Sequence, residues 1–284
     1  MKSPLLHKLG LLPRQVPRAK RRLAAKPGAY ARTPPVFVNS FPKSGTHLLL
    51  QILEALPNTT HYGSFIATTP TLSFRERSLR SHRRLVERIA PGELIPGHLY
   101  YRPEHHALLA SKRCVHYFIY RDPRDVVVSE AFYLTYMNRW HRLHRYFKSL
   151  PSDRERITFS ILGSSYRKVP YDYPDIAERF RWYRGWLEQP DVCRLTFEEL
   201  VPERRRETAR RLIRFYLDRV GSSEACNGLV DRALAAVDSS ASKTFRKGTV
   251  GGWVDEFTPE HREQMRRVAG RMLVELGYES SLEW

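Results

Sequence analysis

The sequence predicts an α/β domain with a central parallel sheet and helices on both faces. Three observations carry that reading. Twice a short β-rich run leads through a polar loop into a mostly apolar stretch of helical length: "VFVNSFPKSGTHLLLQILEALPN" and "CVHYFIYRDPRDVVVSEAFYLTYM". Helical stretches separate the two units, so their strands are joined by crossovers, and crossovers make parallel strands covered on both sides. The chain has 284 residues, enough to bury a substantial core as one domain with embellishments.

The elements follow in order. Residues 1–34 are basic and proline-containing, and no acidic residue precedes Glu54. They read as a solvated arm. Peripheral contact with an anionic surface and organellar targeting are the alternatives. The arm lacks the apolar stretch of a secretory signal. The domain spans residues 35–284. "VFVNSF" is a strand. In residues 46–56, Leu48, Leu49, Leu50, Ile52, Leu53, Ala55 and Leu56 cover nearly every side, as in a buried helix. "SFRERSLRSHRRLVERIA" reads as a basic helix, and "GELIPGHLYY" as a strand ending in a loop. Residues 116–120 form a buried strand, followed by Asp122 as N-cap, Pro123 at the first helical position and Asp125 at the third.

Residues 138–175 are rich in aromatics, arginine and proline. They read as a less regular insertion over one edge of the site. "VCRLTFEEL" is a further strand. "RRRETARRLIRFYLDRVG" is a helix with Leu212, Ile213, Phe215, Tyr216 and Leu217 inward and Gly221 as its stop. The last helix begins at the Thr258 N-cap, carries the stripe Met265, Val268, Met272, Leu273 and Leu276, and closes at Gly277.

Lysine and arginine number 48 against 30 acidic residues, a net charge of +18. That excess implies anionic partners. Nucleic acid fits the charge, but no finger, basic zipper or aromatic RNA-binding signature accompanies it, so no specific nucleic-acid partner is expected. No window approaches the uninterrupted apolar length of a membrane span. Three cysteines, Cys114, Cys193 and Cys226, match no zinc spacing. Cys114 and Cys193 sit beside apolar runs and read as buried thiols, and a reducing cytoplasm is the simplest compartment.

Three stretches carry chemistry. In "FPKSGT" the first N–H groups of a helix face an anion, Gly45 permits close backbone approach, Ser44 and Thr46 offer hydroxyls and Lys43 a mobile charge. The loop fails the nucleotide pattern G-x-x-x-x-G-K-[ST], because its lysine precedes the glycine. "RDPRDVVVS" offers Arg121 at a strand end and Ser129 two turns into the next helix. An ion pair between Arg121 and Asp125 would account for the arginine equally well. "FRKGTVGGW" offers Arg246, Lys247 and Gly248 as a cationic loop, or else as a basic surface turn.

Together and in this order, the three stretches resemble the signatures of the soluble sulfotransferases that use 3'-phosphoadenosine 5'-phosphosulfate (PAPS). The likeness runs from about Pro35 to the C-terminus. It implies a P-loop-like fold, as in P-loop-containing nucleotide hydrolases, and PAPS as donor with no metal. It implies that Lys43, Ser44, Gly45 and Thr46 hold the 5'-phosphosulfate, while Arg121, Ser129, Arg246, Lys247 and Gly248 hold the 3'-phosphate. The general base it implies is a histidine at a strand end, here His98, with His47, His105, His106 and His116 as rivals. Lys43 would stabilise the leaving oxygen, and Ser129 would restrain Lys43 until an acceptor arrives.

This chain departs from the pattern in three places. Thr46-His47-Leu48 stands where the family often has Thr-Thr-Trp, so His47 joins the loop with an open role. Phe197-Glu198-Glu199 replaces Tyr-Glu-Asp, so Phe197 can only stack. Gly251-Gly252-Trp253 replaces Gly-Asp-Trp. The acceptor carries a hydroxyl or an amine. Trp140, Tyr146, Phe147, Phe159, Tyr166, Tyr171 and Tyr173 suit a phenol or lipid, although ordinary packing is the expected role of most of them, whereas Arg139, Arg142, Arg145, Lys148, Arg154 and Arg156 suit an acidic or already sulfated molecule. A P-loop kinase and a non-enzymatic basic anion binder are the alternative functions.

Overall fold

A computed structural model describes residues 4–169, 172–238 and 249–284, with side chains from residue 13 onward. Its centre is one parallel sheet of five strands: β1 (Val36–Ser40), β2 (Ile66–Ala67), β3 (Leu94–His98), β4 (Val115–Tyr120) and β5 (Val192–Thr196). The strand order is β2-β3-β1-β4-β5, with Val36 opposite both Leu94 and Val115. Side chains alternate across the sheet as the period of two requires. Val36, Val38, Leu94, Val115, Tyr117 and Ile119 point into one core, and Phe37, Ile95 and Phe118 into the other.

The first core is closed by α3 (Thr46–Leu53), α10 (Pro202–Val220) and α11 (Cys226–Ala236). The second is closed by α4 (Leu79–Glu87), α5 (Pro103–Ser111), α6 (Pro123–Phe132), α8 (Asp153–Leu162), α9 (Ile176–Arg184) and α13 (Pro259–Glu275). Two sequence signals placed the last helix and α10 well. Thr258 accepts from the His261 N–H, and Gly221 ends α10 in the left-handed region. Three short helices, α2 (Ala29–Arg32), α7 (His144–Lys148) and α12 (Trp253–Glu256), complete the set.

Pro96 lies inside β3, where a ladder would miss its N–H. The Leu94 N–H bonds to the Thr60 oxygen on the β2 side, so Pro96, two residues on, faces the same edge. β2 starts its pairing only at Ile66↔Gly97, beyond that gap. Gly97 itself is needed, because a Cβ there would stand 2.4 Å from the Ile66 oxygen.

The structure differs from the sequence expectation in four places. The lead-in is a helix, α1 (Pro4–Leu23), and is held by the domain. Arg18 Nε donates to Glu93 at 3.0 Å, Gln15 to the Tyr62 oxygen at 3.2 Å and Arg21 to the Asn58 oxygen at 2.6 Å. Glu93 has no exposed side-chain surface. A buried carboxylate needs a cation, and this one draws the arm inward. Residues 138–175 are more regular than expected: they contain α7 and α8, which put Phe147, Phe159 and Ile161 into the core. Cys193 is buried as expected, but Cys114 is half-buried. The basic helix near residue 80 is only nine residues long.

Arg18→Met should lower stability by about 1–3 kcal/mol, because Glu93 would keep only the Ala90 N–H and the Ser64 hydroxyl. The denaturant midpoint should fall with an unchanged slope. An unshifted midpoint would mean that the helix adds nothing to the domain.

Candidate active site

Every strand that contributes to the site does so at its carboxyl end, the edge where open parallel sheets hold ligands. β1 runs into the loop 41–45 and then α3. Lys43 and Gly45 both adopt the left-handed region, at φ 69° and 91°. A Cβ at Gly45 would meet the Phe197 ring at 2.5 Å. α3 begins without a side-chain cap, so its first N–H groups face the cavity unclaimed. Ser44 is fully buried, and its Oγ has no hydrogen-bond partner among the described residues.

Lys43 Nζ lies 3.7 Å from the centroid of the Tyr133 ring. Burial pulls its pKa down to about 7, opposed by Glu130 and aided by Arg121. Tyr133 opens a π-helical turn, Tyr133–Met137, that continues α6. Asn138 donates to the Tyr133 hydroxyl at 2.9 Å and fixes the ring beneath the lysine. No hydrogen bond joins Lys43 to Ser129 among the described residues, although Ser129 lines the same cavity.

His98 ends β3. The buried Asn39 side chain clamps the next residue, accepting from the Leu99 N–H at 2.9 Å and donating to its oxygen at 3.1 Å. His98 Nδ1 lies 3.0 Å from both the Ser40 carbonyl oxygen and Ser40 Oγ. A carbonyl can only accept, so Nδ1 carries the proton and Nε2 keeps its lone pair. Ser40 Oγ is 2.6 Å from Thr46 Oγ1, which ties the histidine to the anion loop. Burial drives the His98 pKa down to about 4; the Ser40 carbonyl opposes this, and His47 and Lys43 add to it.

Arg121 ends β4. Its Nη2 donates to Asp125 at 3.0 Å and to the Thr249 oxygen at 2.6 Å, and its guanidinium lies 4.4 Å over the Phe197 ring. The ion pair with Asp125 therefore exists, yet Arg121 also lines the cavity and its buried Nε has no partner among the described residues. Asp125 also accepts from the N–H groups of Gly251 and Trp253, both at 3.0 Å. It pins the end of the third motif against the Arg121 strand. Arg246, Lys247 and Gly248 lie outside the described residues. Asp125→Ala should loosen that segment and Arg121 together. We expect 3',5'-ADP (PAP) to bind at least about 10-fold more weakly, measured by calorimetry.

One cavity of about 1000 Å³ joins these groups, with Lys43, Gly45, Thr46, His47, His98, Arg121, Ser129 and Phe197 in its wall. That volume is at the upper end for one ligand and suits two. His47 is exposed within it, and its pKa is lowered by desolvation, then by Lys43 and His61. Of the rival histidines, His47 shares the cavity and the other three lie elsewhere. His105 contacts His82 at 3.2 Å, His106 pairs with Asp191, and His116 is buried against Trp186 at 4.4 Å.

Sequence reasoning missed several residues here. Ser40, Tyr133, Asn138 and His141 carried no motif. The Glu130–Arg179 pair at 2.5 Å joins residues 49 apart in sequence. Ser129-Glu130 stands at the end of a recognised stretch, so only its second residue was overlooked.

The sequence model of the family described as "Sulfotransferase domain" matches residues 33–277. No curated protein sequence matches. Among solved structures, mouse sulfotransferase SULT7A1 complexed with PAP superposes with a TM-score of 0.58 at 20% identity, covering 86% of each chain. Retinol dehydratase in complex with androsterone and inactive cofactor PAP gives a TM-score of 0.54 at 15% identity, covering 92% of this chain and 85% of that one. A second structure of retinol dehydratase, with retinol and PAP, gives 0.54 over 92% and 86% at 15% identity. The likeness confirms a P-loop-like parallel α/β fold, and the family match across most of the chain assigns it: this protein belongs to the sulfotransferase domain family.

Proposed function

We propose that the chain moves a sulfuryl group from PAPS to a hydroxyl or amine of an acceptor, with His98 as general base and Lys43 as the stabilising cation. The observation that supports this most is the pairing in one cavity of an anion loop and a histidine whose Nε2 is the basic nitrogen. The PAP in the neighbouring structures supports the donor assignment. So does the fit of the residues: a buried Ser44 hydroxyl and a buried Arg121 Nε that have no partner among the described residues.

The donor supplies a sulfuryl group whose bond to the 5'-phosphate oxygen breaks as a bond to the acceptor oxygen or nitrogen forms. Ser44, Thr46 and the first N–H groups of α3 hold the anion in line. Lys43 moves from Tyr133 toward the oxygen on which charge builds. His98 Nε2 takes the acceptor proton, and Ser40 keeps the ring in the required tautomer. Arg121 and Ser129, with Arg246, Lys247 and Gly248, serve the 3'-phosphate. Phe197, wedged between Gly45 and Arg121, fixes the wall between the two anion sites. His47 joins the donor loop. Positioning and charge carry most of the rate, as in phosphoryl transfer.

The 3' site gives the test. In calorimetric titrations PAP should bind at least about 100-fold more tightly than 5'-AMP, because two or more charge-assisted contacts are lost without the 3'-phosphate. Equal affinity for the two, or preference for ATP, would point to a kinase instead.

A further inference from the structure

The acceptor wing of the cavity contains two arginines that no carboxylate answers. Arg77 Nη1 donates to the Ala67 oxygen at 2.7 Å, and Arg142 Nη1 to the Pro70 oxygen at 2.8 Å. Each is thereby held against the cavity wall with its other N–H groups uncommitted to any acid. Neither forms an ion pair among the described residues. The acids nearby have partners of their own: Glu76 takes Arg102 at 2.7 Å, and Glu130 takes Arg179, Ser160 and Tyr173. Asp172 also lines the cavity but is exposed. His141, beside Arg142, accepts from the Leu143 N–H at 3.2 Å, and burial lowers its pKa to about 3, so it adds no charge near neutrality. Arg142 also lowers it, as do His144 and His98, against Glu130.

Between these arginines and His98 the wall is aromatic. Phe65 meets His98 edge-on at 5.1 Å, and Tyr100 packs on Trp182 at 4.8 Å and on Tyr183 at 5.0 Å. Ala67 stands opposite His98 on the adjacent strand, and its carbonyl, which Arg77 holds, faces the outer edge of β2, so Arg77 sits one strand beyond the base.

We propose that the acceptor is a compact aromatic or similarly apolar molecule bearing an anionic group remote from its reacting hydroxyl, and that Arg77 and Arg142 bind that group. A bare apolar body would leave two half-buried cations without a counter-charge when it expelled the cavity water. A carboxylate and a sulfonate share the chemistry that would satisfy them. The inference rests on the sulfotransferase reading above.

The test uses the whole chain loaded with PAP. Binding of 3-(4-hydroxyphenyl)propionate, its methyl ester and the corresponding sulfonate is measured by calorimetry. Selectivity in kcat/KM is then measured with PAPS. The carboxylate or the sulfonate should outbind the ester by about 10-fold or more, and whichever binds tighter identifies the anion. Arg77→Gln and Arg142→Gln should each shrink that ratio, and Arg142→Lys should keep part of it. An ester that binds as well as both anions would overturn the proposal. So would a ratio that neither variant changes, or a PAP-loaded protein that binds none of the three. If PAP itself fails to bind, the sulfotransferase reading fails first and this inference falls with it.

Discussion

Replacing His98 with asparagine should cut sulfuryl transfer by about 10²–10⁴-fold, with little change in PAP affinity. The histidine is built as a base. Its Nδ1–H is spent on the Ser40 carbonyl, and Nε2 is left free of protein partners among the described residues. Burial, with help from His47 and Lys43, holds its pKa near 4 in the donor-free protein. The imidazole is therefore neutral at every pH above about 5, and the acid limb of kcat/KM for the donor should fall near 4. Donor binding adds negative charge beside His47 and Lys43, which removes part of what depresses the histidine. The acid limb of kcat, measured with donor saturating, should therefore lie above that of kcat/KM. Transfer in His98→Asn within 10-fold of the parent would remove the residue from the reaction.

Lys43→Met should cost about 10²–10³-fold in kcat, because the lysine acts on charge that develops only as the donor bond breaks. PAP affinity should change far less than kcat, since PAP lacks the sulfuryl group. The pH behaviour carries its own sign. Burial favours the neutral amine and brings the pKa to about 7, so in the donor-free chain the positive charge is lost as pH rises through 7. An anionic donor stabilises the ammonium and must raise that value. The alkaline limb of kcat/KM should therefore sit near 7, and that of kcat higher. The Tyr133 ring at 3.7 Å is a resting place for the cation, worth about 0.5–2 kcal/mol, weak enough to be left when a phosphosulfate arrives. If kcat is unaltered in Lys43→Met, charge stabilisation lies with another group.

What was legible in the sequence has a physical pattern. Four of the five strands were legible as short β-rich runs bounded by loops, whereas β2 (Ile66–Ala67), two residues long, carries no such pattern. Helix caps such as Asp122 and Thr258 act within three residues, so they too can be read directly. Lys43, Ser44, Gly45 and Thr46 were singled out because a small-residue loop between strand and helix is a local pattern, and His98 because the family resemblance implies a histidine at a strand end; Lys43, Gly45, Thr46 and His98 line one cavity. The rest depended on contacts between distant residues. Nothing local announces that Ser40 will support His98, 58 positions away, or that Glu93 will draw in Arg18, 75 positions away. Charge density misled in the same way. A basic lead-in without acids looks solvated until a buried carboxylate elsewhere in the chain claims it. In residues 138–175 composition could not separate the aromatics that pack, such as Phe147 and Phe159, from the residues that line the cavity, such as Asn138, His141 and Arg142. The arginine that does reach the acceptor wing, Arg142, is one of several in that stretch, and only its place beside Pro70 separates it from the others.

The central claim is transfer itself, and labelled PAPS tests it most directly. The parent chain, incubated with [³⁵S]PAPS and a panel of anionic and neutral phenols, should release one PAP for each sulfated acceptor formed. His98→Asn and Lys43→Met should bind PAP yet form almost no labelled product. A parent chain that binds PAP but sulfates nothing, or variants that transfer at the parent rate, would contradict the account.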